Sequence, residues 1–292
     1  MKVIVPANNK GGVGKTKLSI ILAEYFSTYL RKRVLAIDFD PQCNFSSRFL
    51  HMEIDPASIA GKLPPIHPDY STTDQNTSWL EGGRSSIADI FYGQPIIPYP
   101  THIGTLDIAP AHAEKLLVAE AVRRSEVVEK VYRQIGILLE SQDVTESYDI
   151  VIIDTAPSKG PLTISAIKAA THMIIPSVME EQPIQGVYGM MQLWMQESLN
   201  RPKGKPLDLI GILPNMFRKT RLHTDMLDSL KRNPEMANFV IPLTLGQRTA
   251  YAEVDAEGAA PKTVFDLPEA DQARKETLAV CEYISERIFT NE

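Results

Sequence analysis

The sequence predicts an α/β fold: a mostly parallel, doubly wound sheet with helices on both faces. Three observations carry that expectation. The chain opens on an apolar, β-branched run, Val3 to Val5, which passes through a glycine cluster into a helical apolar stripe at Leu18, Ile21, Leu22, Tyr25 and Phe26. Ile150 to Ile153 are four successive β-branched residues, the pattern of a strand buried on both faces. Strand-like and helix-like stretches alternate along the rest of the chain.

The 292 residues are 43% apolar and 23% charged, which suits one compact domain over 1–292 with an extended surface loop at about 51–84. Cys43 and Cys281 lie far apart and show no metal-ligand spacing, so neither a disulfide framework nor a zinc site is expected. No stretch reads as a leader peptide or as an apolar span of bilayer length, so a cytoplasmic protein is expected. A net charge of −6 argues against a generally basic nucleic-acid binder and leaves room for a local basic patch.

The glycine cluster reads Lys10-Gly11-Gly12-Val13-Gly14-Lys15-Thr16. Phosphate oxygens need several backbone N–H groups within reach, and side chains would block that approach. Gly11, Gly12 and Gly14 remove the block and permit the backbone angles of an anion nest. The helix that follows points its free N–H groups and positive dipole end at the anion. Lys15 can reach the β- and γ-phosphates, and the Thr16 hydroxyl can ligate Mg²⁺. Strand, loop and helix in this order make the fold P-loop-like.

The second strand is read at Val34 to Ile37, with Asp38 and Asp40 at the end where ligands gather in such sheets. These carboxylates either shape the turn before Pro41 or face the phosphates and metal of the neighbouring loop. Residues 51–84 hold Pro56, Pro64, Pro65, Pro68 and polar runs, and read as a loop with one short helix. Ser85 to Phe91 reads as a capped helix start, Leu106 to Ala111 as a short strand entering a loop, and Ala113 to Glu140 as one long helix with a solvated charged face. Asp154 leaves the strand 150–153 and is placed to hold Mg²⁺ directly or through water. The Met-rich stripe in Gln185 to Met195 reads as core packing. A further strand, Leu207 to Leu213, ends at Pro214-Asn215-Met216. Asn215 could read an adenine edge or simply form the turn. Arg218, Lys219 and Arg221 follow, and Arg248 lies beyond a strand read at Phe239 to Pro242. Thr277 to Phe289 is an amphipathic helix.

Lys-Gly-Gly-Val-Gly-Lys-Thr resembles the deviant Walker A motif of the ParA/MinD group of P-loop ATPases, and Asp38 to Asn44 resembles the second ATPase motif of ParA proteins, with Cys43 in place of its glycine. Tyr148 to Pro176 is similar to the family's Walker B block, and Arg248 to Val254 with Gly258 to Val264 weakly echoes its closing motif. The resemblance implies an ATP-sandwich homodimer in which Lys10 crosses to the partner's ATP. It makes Lys15 and Asp40 catalytic with Lys10, Asp40 orienting water, and Thr16, Asp40 and Asp154 the Mg²⁺ residues. Gly11, Gly12, Val13, Gly14 and Lys17 join these in holding ATP, and Asn215 and Met216 contact the base. Lys17 stands where the family has Thr or Ser. Arg218, Lys219, Arg221 and Arg248 would hold DNA phosphates without reading bases. A slow ATPase, stimulated by a ParB-type centromere-binding protein, would position plasmid or chromosomal cargo on the prokaryotic nucleoid. No operator-binding N-terminal extension is expected. The alternative is a MinD-like positioning ATPase on a protein cargo or membrane. The acidic residues Glu276, Glu282, Glu286 and Glu292 of the last helix disfavour an anionic bilayer. An iron–sulfur reductase of the related type would need a cysteine pair that Cys43 and Cys281 do not supply.

Overall fold

The computed structural model describes residues 1–56, 58, 61–256 and 263–289. The first unit runs from β1 (Lys2–Pro6) through the glycine loop into α1 (Lys15–Glu24), extended by one π-helical turn, Tyr25–Tyr29. Next come β2 (Val34–Phe39), α2 (Asn44–Phe49), β3 (Glu53–Ile54), β4 (Lys62–Leu63), β5 (Tyr99–Pro100) and β6 (Leu106–Ala109). The helices α3 (Ala113–Glu120), α4 (Ser125–Glu140) and α5 (Gln142–Ser147) precede β7 (Ile150–Thr155), α6 (Pro161–Ala169), β8 (His172–Ser177) and α7 (Glu181–Leu199). The chain continues through β9 (Asp208–Pro214), α8 (Arg221–Arg232), α9 (Ala250–Glu253) and α10 (Gln272–Phe289).

Among the described residues the main sheet has seven strands in the order β5-β6-β2-β7-β1-β8-β9. All its pairings are parallel except that of the edge strand β5 with β6. The pleat sends alternate side chains to two cores, as strand geometry requires. Val3, Val5, Val151 and Ile153 join one core with Leu116, Ile135, Ile167 and Met190 from α3, α4, α6 and α7. Ile4, Ile150 and Ile152 join the other with Leu18, Phe26, Cys281 and Ile284 from α1, its π turn and α10. This is the doubly wound arrangement. β1, β2 and β7 lie side by side in the middle of the sheet, so the loops leaving their C-terminal ends converge.

Three elements differ from the sequence reading. The expected long helix over 113–140 is two helices, with Arg124 extended at φ −70°, ψ 124° between them. Glu120 at the end of α3 explains the stop. Its carboxylate accepts from Leu162 N at 3.1 Å and Ser158 Oγ at 2.8 Å, fixing α3 against the start of α6 while α4 turns along α6. The expected strand at 239–242 is a 3-10 turn, Ala237–Phe239, followed by a single bridge from Val240 to Ile212. The 51–84 stretch is more than a surface loop. β3 and β4 pair as a ribbon, and His67 and Leu80 are buried, with Tyr99 Oη donating to the Pro65 carbonyl at 2.8 Å. In place of the expected short helix there is a single tight turn, Glu81–Gly83, in which Gly82 is left-handed at φ 60°.

The capped start at 85–91 is present as a 3-10 turn, Ile87–Tyr92, with Asp89 Oδ2 accepting from Ser86 N at 2.8 Å. In the Met-rich stripe Met190 and Met191 are buried and Met195 is exposed. α10 lays Val280, Cys281, Ile284 and Ile288 into the core. Among the described residues no helix is long and apolar enough to cross a membrane. The 258–262 part of the expected closing motif, and Glu292, lie outside the described residues.

Candidate nucleotide site

The glycine loop is built for backbone recognition. Gly12 and Gly14 take left-handed φ values of 70° and 81°, and Gly14 is the N-cap of α1. No side chain caps that end, so the first N–H groups of α1 face outward into the loop. A Cβ on Gly11 or Gly12 would meet nothing within 4 Å, which leaves the mouth of the loop open to a ligand. Asn8 pins the entry to the loop: its Nδ2 donates to the Pro176 carbonyl at 2.9 Å and its Oδ1 accepts from Lys10 N at 3.1 Å. Lys15 folds back over the loop and donates to the Lys10 carbonyl at 3.2 Å. Burial holds the Lys15 ammonium below its ordinary pKa, against the pull of Asp154 and Asp40.

Asp154, at the exit of β7, is fully buried. Thr16 Oγ1 donates to its Oδ2 at 2.7 Å and Ser19 Oγ to its Oδ1 at 2.9 Å. Its register partner on β2 is Asp38, also fully buried. Burial, then the neighbouring carboxylate Asp154, raises the Asp38 pKa. Burial does the same to Asp154, whose hydroxyl donors pull the other way. Asp38 does not face the loop as one sequence reading had it. Its oxygens are taken by Ser46 N at 2.8 Å, Ser46 Oγ at 2.6 Å and Asp40 N at 3.0 Å. Asp38 therefore fixes the turn that presents Asp40, whose Oδ1 accepts from Gln42 N at 2.9 Å. Cys43, where a glycine was expected, adopts a left-handed φ of 57°, the angle glycine would have taken.

Beside the loop lies a cleft of about 460 Å³ lined by Gly12, Gly14, Lys17, Asn215, Met216 and Tyr251, among others. Asn215 Nδ2 donates to the Val13 carbonyl at 2.9 Å and its Oδ1 accepts from Met216 N at 2.9 Å, so its amide is engaged in bracing the loop. Lys17 is paired with Asp255 at 2.5 Å and lies 5.8 Å over the Tyr251 ring. Burial lowers its pKa, and Asp255 opposes that. The cations proposed from sequence for DNA follow β9 in the chain and divide between the helices of the two faces, Arg218 against the start of α7 and Arg248 against α10. Arg218 pairs with Glu180 at 2.8 Å, while Lys219 is exposed and Arg221 is 95% exposed, 3.4 Å from Asp225. Arg248 is bidentate on Glu276, at 2.6 and 3.0 Å, and lines the cleft as well.

The donor set suits a hard divalent cation bound with phosphate. Thr16 and Asp154 offer a hydroxyl and a carboxylate in contact. Mg²⁺ commonly takes one or two such protein oxygens and completes its shell with phosphate and water. Sequence reasoning missed Asn8, Ser19, Ser46 and Asp255. Ser19 could have been found, since it lies three residues after Thr16 on the helix face turned to β7. Asp255 could not, because it reaches Lys17 across 238 residues.

A loop of free N–H groups at a helix start, a lysine over it, and a hydroxyl–carboxylate pair at its foot define a P-loop nucleotide hydrolase. The comparisons agree. The profile of the family described as an AAA domain matches residues 1–201. Protein IncC of Escherichia coli is 28% identical over 287 residues, covering 97% of this chain and 69% of its own. The chromosome-partitioning ATPase Soj of Thermus thermophilus is 28% identical over 221 residues, covering 73% and 69%. Among solved structures, the ATP complex of McdA from Cyanothece superposes with a TM-score of 0.72 at 18% identity, covering 98% of this chain and 96% of the other, which speaks to the fold alone. The chain belongs to the ParA family of P-loop ATPases within this AAA group.

Proposed function

We propose that this protein is a DNA partition ATPase working as one unit over residues 1–292. Two ATP-bound protomers face each other, bind DNA without sequence preference, and reset by hydrolysis. The observation that carries the chemistry is the contact of Thr16 with Asp154 beneath the loop that Lys15 closes. The loop amides from Gly11 to Thr16 and Lys15 hold the phosphates of ATP. Thr16 and Asp154 hold Mg²⁺, which when bound neutralises charge on the β- and γ-phosphates, with Asp40 assisting through water. Asp40 orients the attacking water in line, and Lys10 reaches the ATP of the facing protomer. Lys17, Asn215 and Met216 wall the nucleoside side of the cleft.

Arg218, Lys219, Arg221 and Arg248 supply the DNA contacts. Arg221 and Lys219 are the most available, whereas Arg218 and Arg248 must give up Glu180 and Glu276. A ParB-type partner stimulates turnover, and the protein acts at the nucleoid in a prokaryotic cytoplasm. The relatives' partition role supports this reading, and the burial of the apolar face of α10 weakens the membrane alternative.

The test is ATP hydrolysis with Asp40→Ala and Lys15→Ala. Asp40→Ala should retain ATP binding and lose turnover about 100-fold, the scale of a lost water-positioning group. Lys15→Ala should lose ATP binding as well. Unchanged turnover in Asp40→Ala would contradict its role.

A further inference from the structure

The backbone of α7 runs directly beneath the glycine loop. Gly186 and Gly189 lie one turn apart on the same helix face. A Cβ at Gly186 would stand 2.5 Å from Asn8 Oδ1, 2.8 Å from Asn9 Oδ1 and 2.8 Å from Lys10 Cγ. A Cβ at Gly189 would stand 2.6 Å from Lys159 Nζ and 3.1 Å from its Cε. Two segments distant in sequence therefore meet on this bare face: the entry to the glycine loop, and the turn between β7 and α6. Each brings a lysine.

Neither ammonium has an acceptor among the described residues, although the chain carries 36 acidic residues against 30 basic ones. Other lysines near the nucleotide site are spent: Lys15 on the Lys10 carbonyl and Lys17 on Asp255. Two unpaired cations, gathered by two glycines at the C-terminal end of the central strands, make an anion site that the loop's own phosphate cradle does not use.

We propose that Lys159 is a second phosphate-binding cation. It is presented with Lys10 from the glycine face of α7 to the polyphosphate of ATP in a facing copy of this chain. Lys10 supplies one cation from the loop entry. Lys159 supplies the other from the turn five residues after Asp154, and so ties the geometry of the Asp154 strand exit to the engagement of the facing nucleotide. This rests on the ATP-dimer reading above. A lysine serves here as a flexible point charge, and an arginine of similar reach would serve too.

The experiment compares wild type, Lys159→Met and Lys159→Arg in two assays. Binding of a fluorescent ATP analogue with Mg²⁺ is measured on dilute monomer, and ATP-dependent dimerisation by sedimentation. The account expects monomer affinity within twofold for all three, dimer affinity weakened about tenfold in Lys159→Met, and recovery to within about threefold in Lys159→Arg. Dimerisation of Lys159→Met equal to wild type would overturn the proposal. So would loss of nucleotide binding by the Lys159→Met monomer, which would make the lysine a support of the loop itself. If wild type binds the analogue but never dimerises with ATP, the dimer reading fails first and the proposal with it, a result distinct from the other two.

Discussion

Gly14 shows how much one residue decides. Its φ of 81° lies in the region that L side chains rarely enter, and a Cβ there would run into the Asn215 amide that braces the Val13 carbonyl. Gly14→Ala should destabilise the protein by about 1–3 kcal/mol. It should also weaken ATP binding more than tenfold, as read by calorimetric titration and thermal unfolding; a variant that binds ATP as wild type does would show that the loop's shape is not what recognises phosphate. Cys43 presents the converse case. It holds a left-handed φ of 57° without being glycine. Cys43→Gly relieves that backbone cost and gives up a buried side chain, two effects each on the order of 1 kcal/mol. A change in unfolding free energy within about 1 kcal/mol is expected.

Elements are tied together by charges that sequence spacing does not reveal. Glu24 at the end of α1 accepts from Arg48 of α2 at 2.7 and 3.1 Å, and Arg48 reaches Asp255 at 3.7 Å, beside Lys17. Burial outweighs Arg48 and pushes the Glu24 carboxyl up to about 7. A carboxyl with a folded pKa above its unfolded value of 4.5 binds its proton more tightly in the folded state. Its contribution to stability is full below about pH 4.5 and is lost as pH rises through 7, on the order of 3 kcal/mol in all. Asp38 and Asp154, raised by burial, act in the same direction. Urea unfolding from pH 5 to 8 should show stability falling with pH, and Glu24→Gln should flatten that slope; an unchanged slope would contradict the assignment.

At this scale too, some structure was legible and some was not. Val3 to Val5 and Ile150 to Ile153 announced β1 and β7 because a strand buried on both faces must be apolar throughout. The break between α3 and α4 went unseen because Ala121 to Arg124 contain neither glycine nor proline. What stops α3 is Glu120 reaching across to α6, a tertiary contact. The expected strand over 239–242 failed for the opposite reason. Its β-branched residues suit a strand, yet the turn Ala237–Phe239 leaves room for only one bridge to β9.

Across the whole molecule, the strand order brings β1, β2 and β7 together, so that Lys15, Asp40 and Asp154 meet from positions up to 139 residues apart. The phosphate loop, with its lysine and hydroxyl, was legible because its chemistry is local. Of the cleft wall, Lys17, Asn215 and Met216 were legible, whereas Tyr251 and Asp255 were not, because they meet Lys17 from the opposite end of the chain. The acidic total does not preclude a cationic surface at the exposed Arg221 and Lys219, because steering of a polyanion depends on the local field and not on the net charge.

The central claim is that ATP licenses this surface to hold DNA. The measurement is retention of non-specific duplex DNA by the purified protein with ATP–Mg²⁺ and with ADP–Mg²⁺, over a salt series. The account predicts retention with ATP alone, falling steeply as salt rises and weakened at least several-fold in Arg221→Ala. Absence of retention under both nucleotides, while ATP dimers still form, would contradict it.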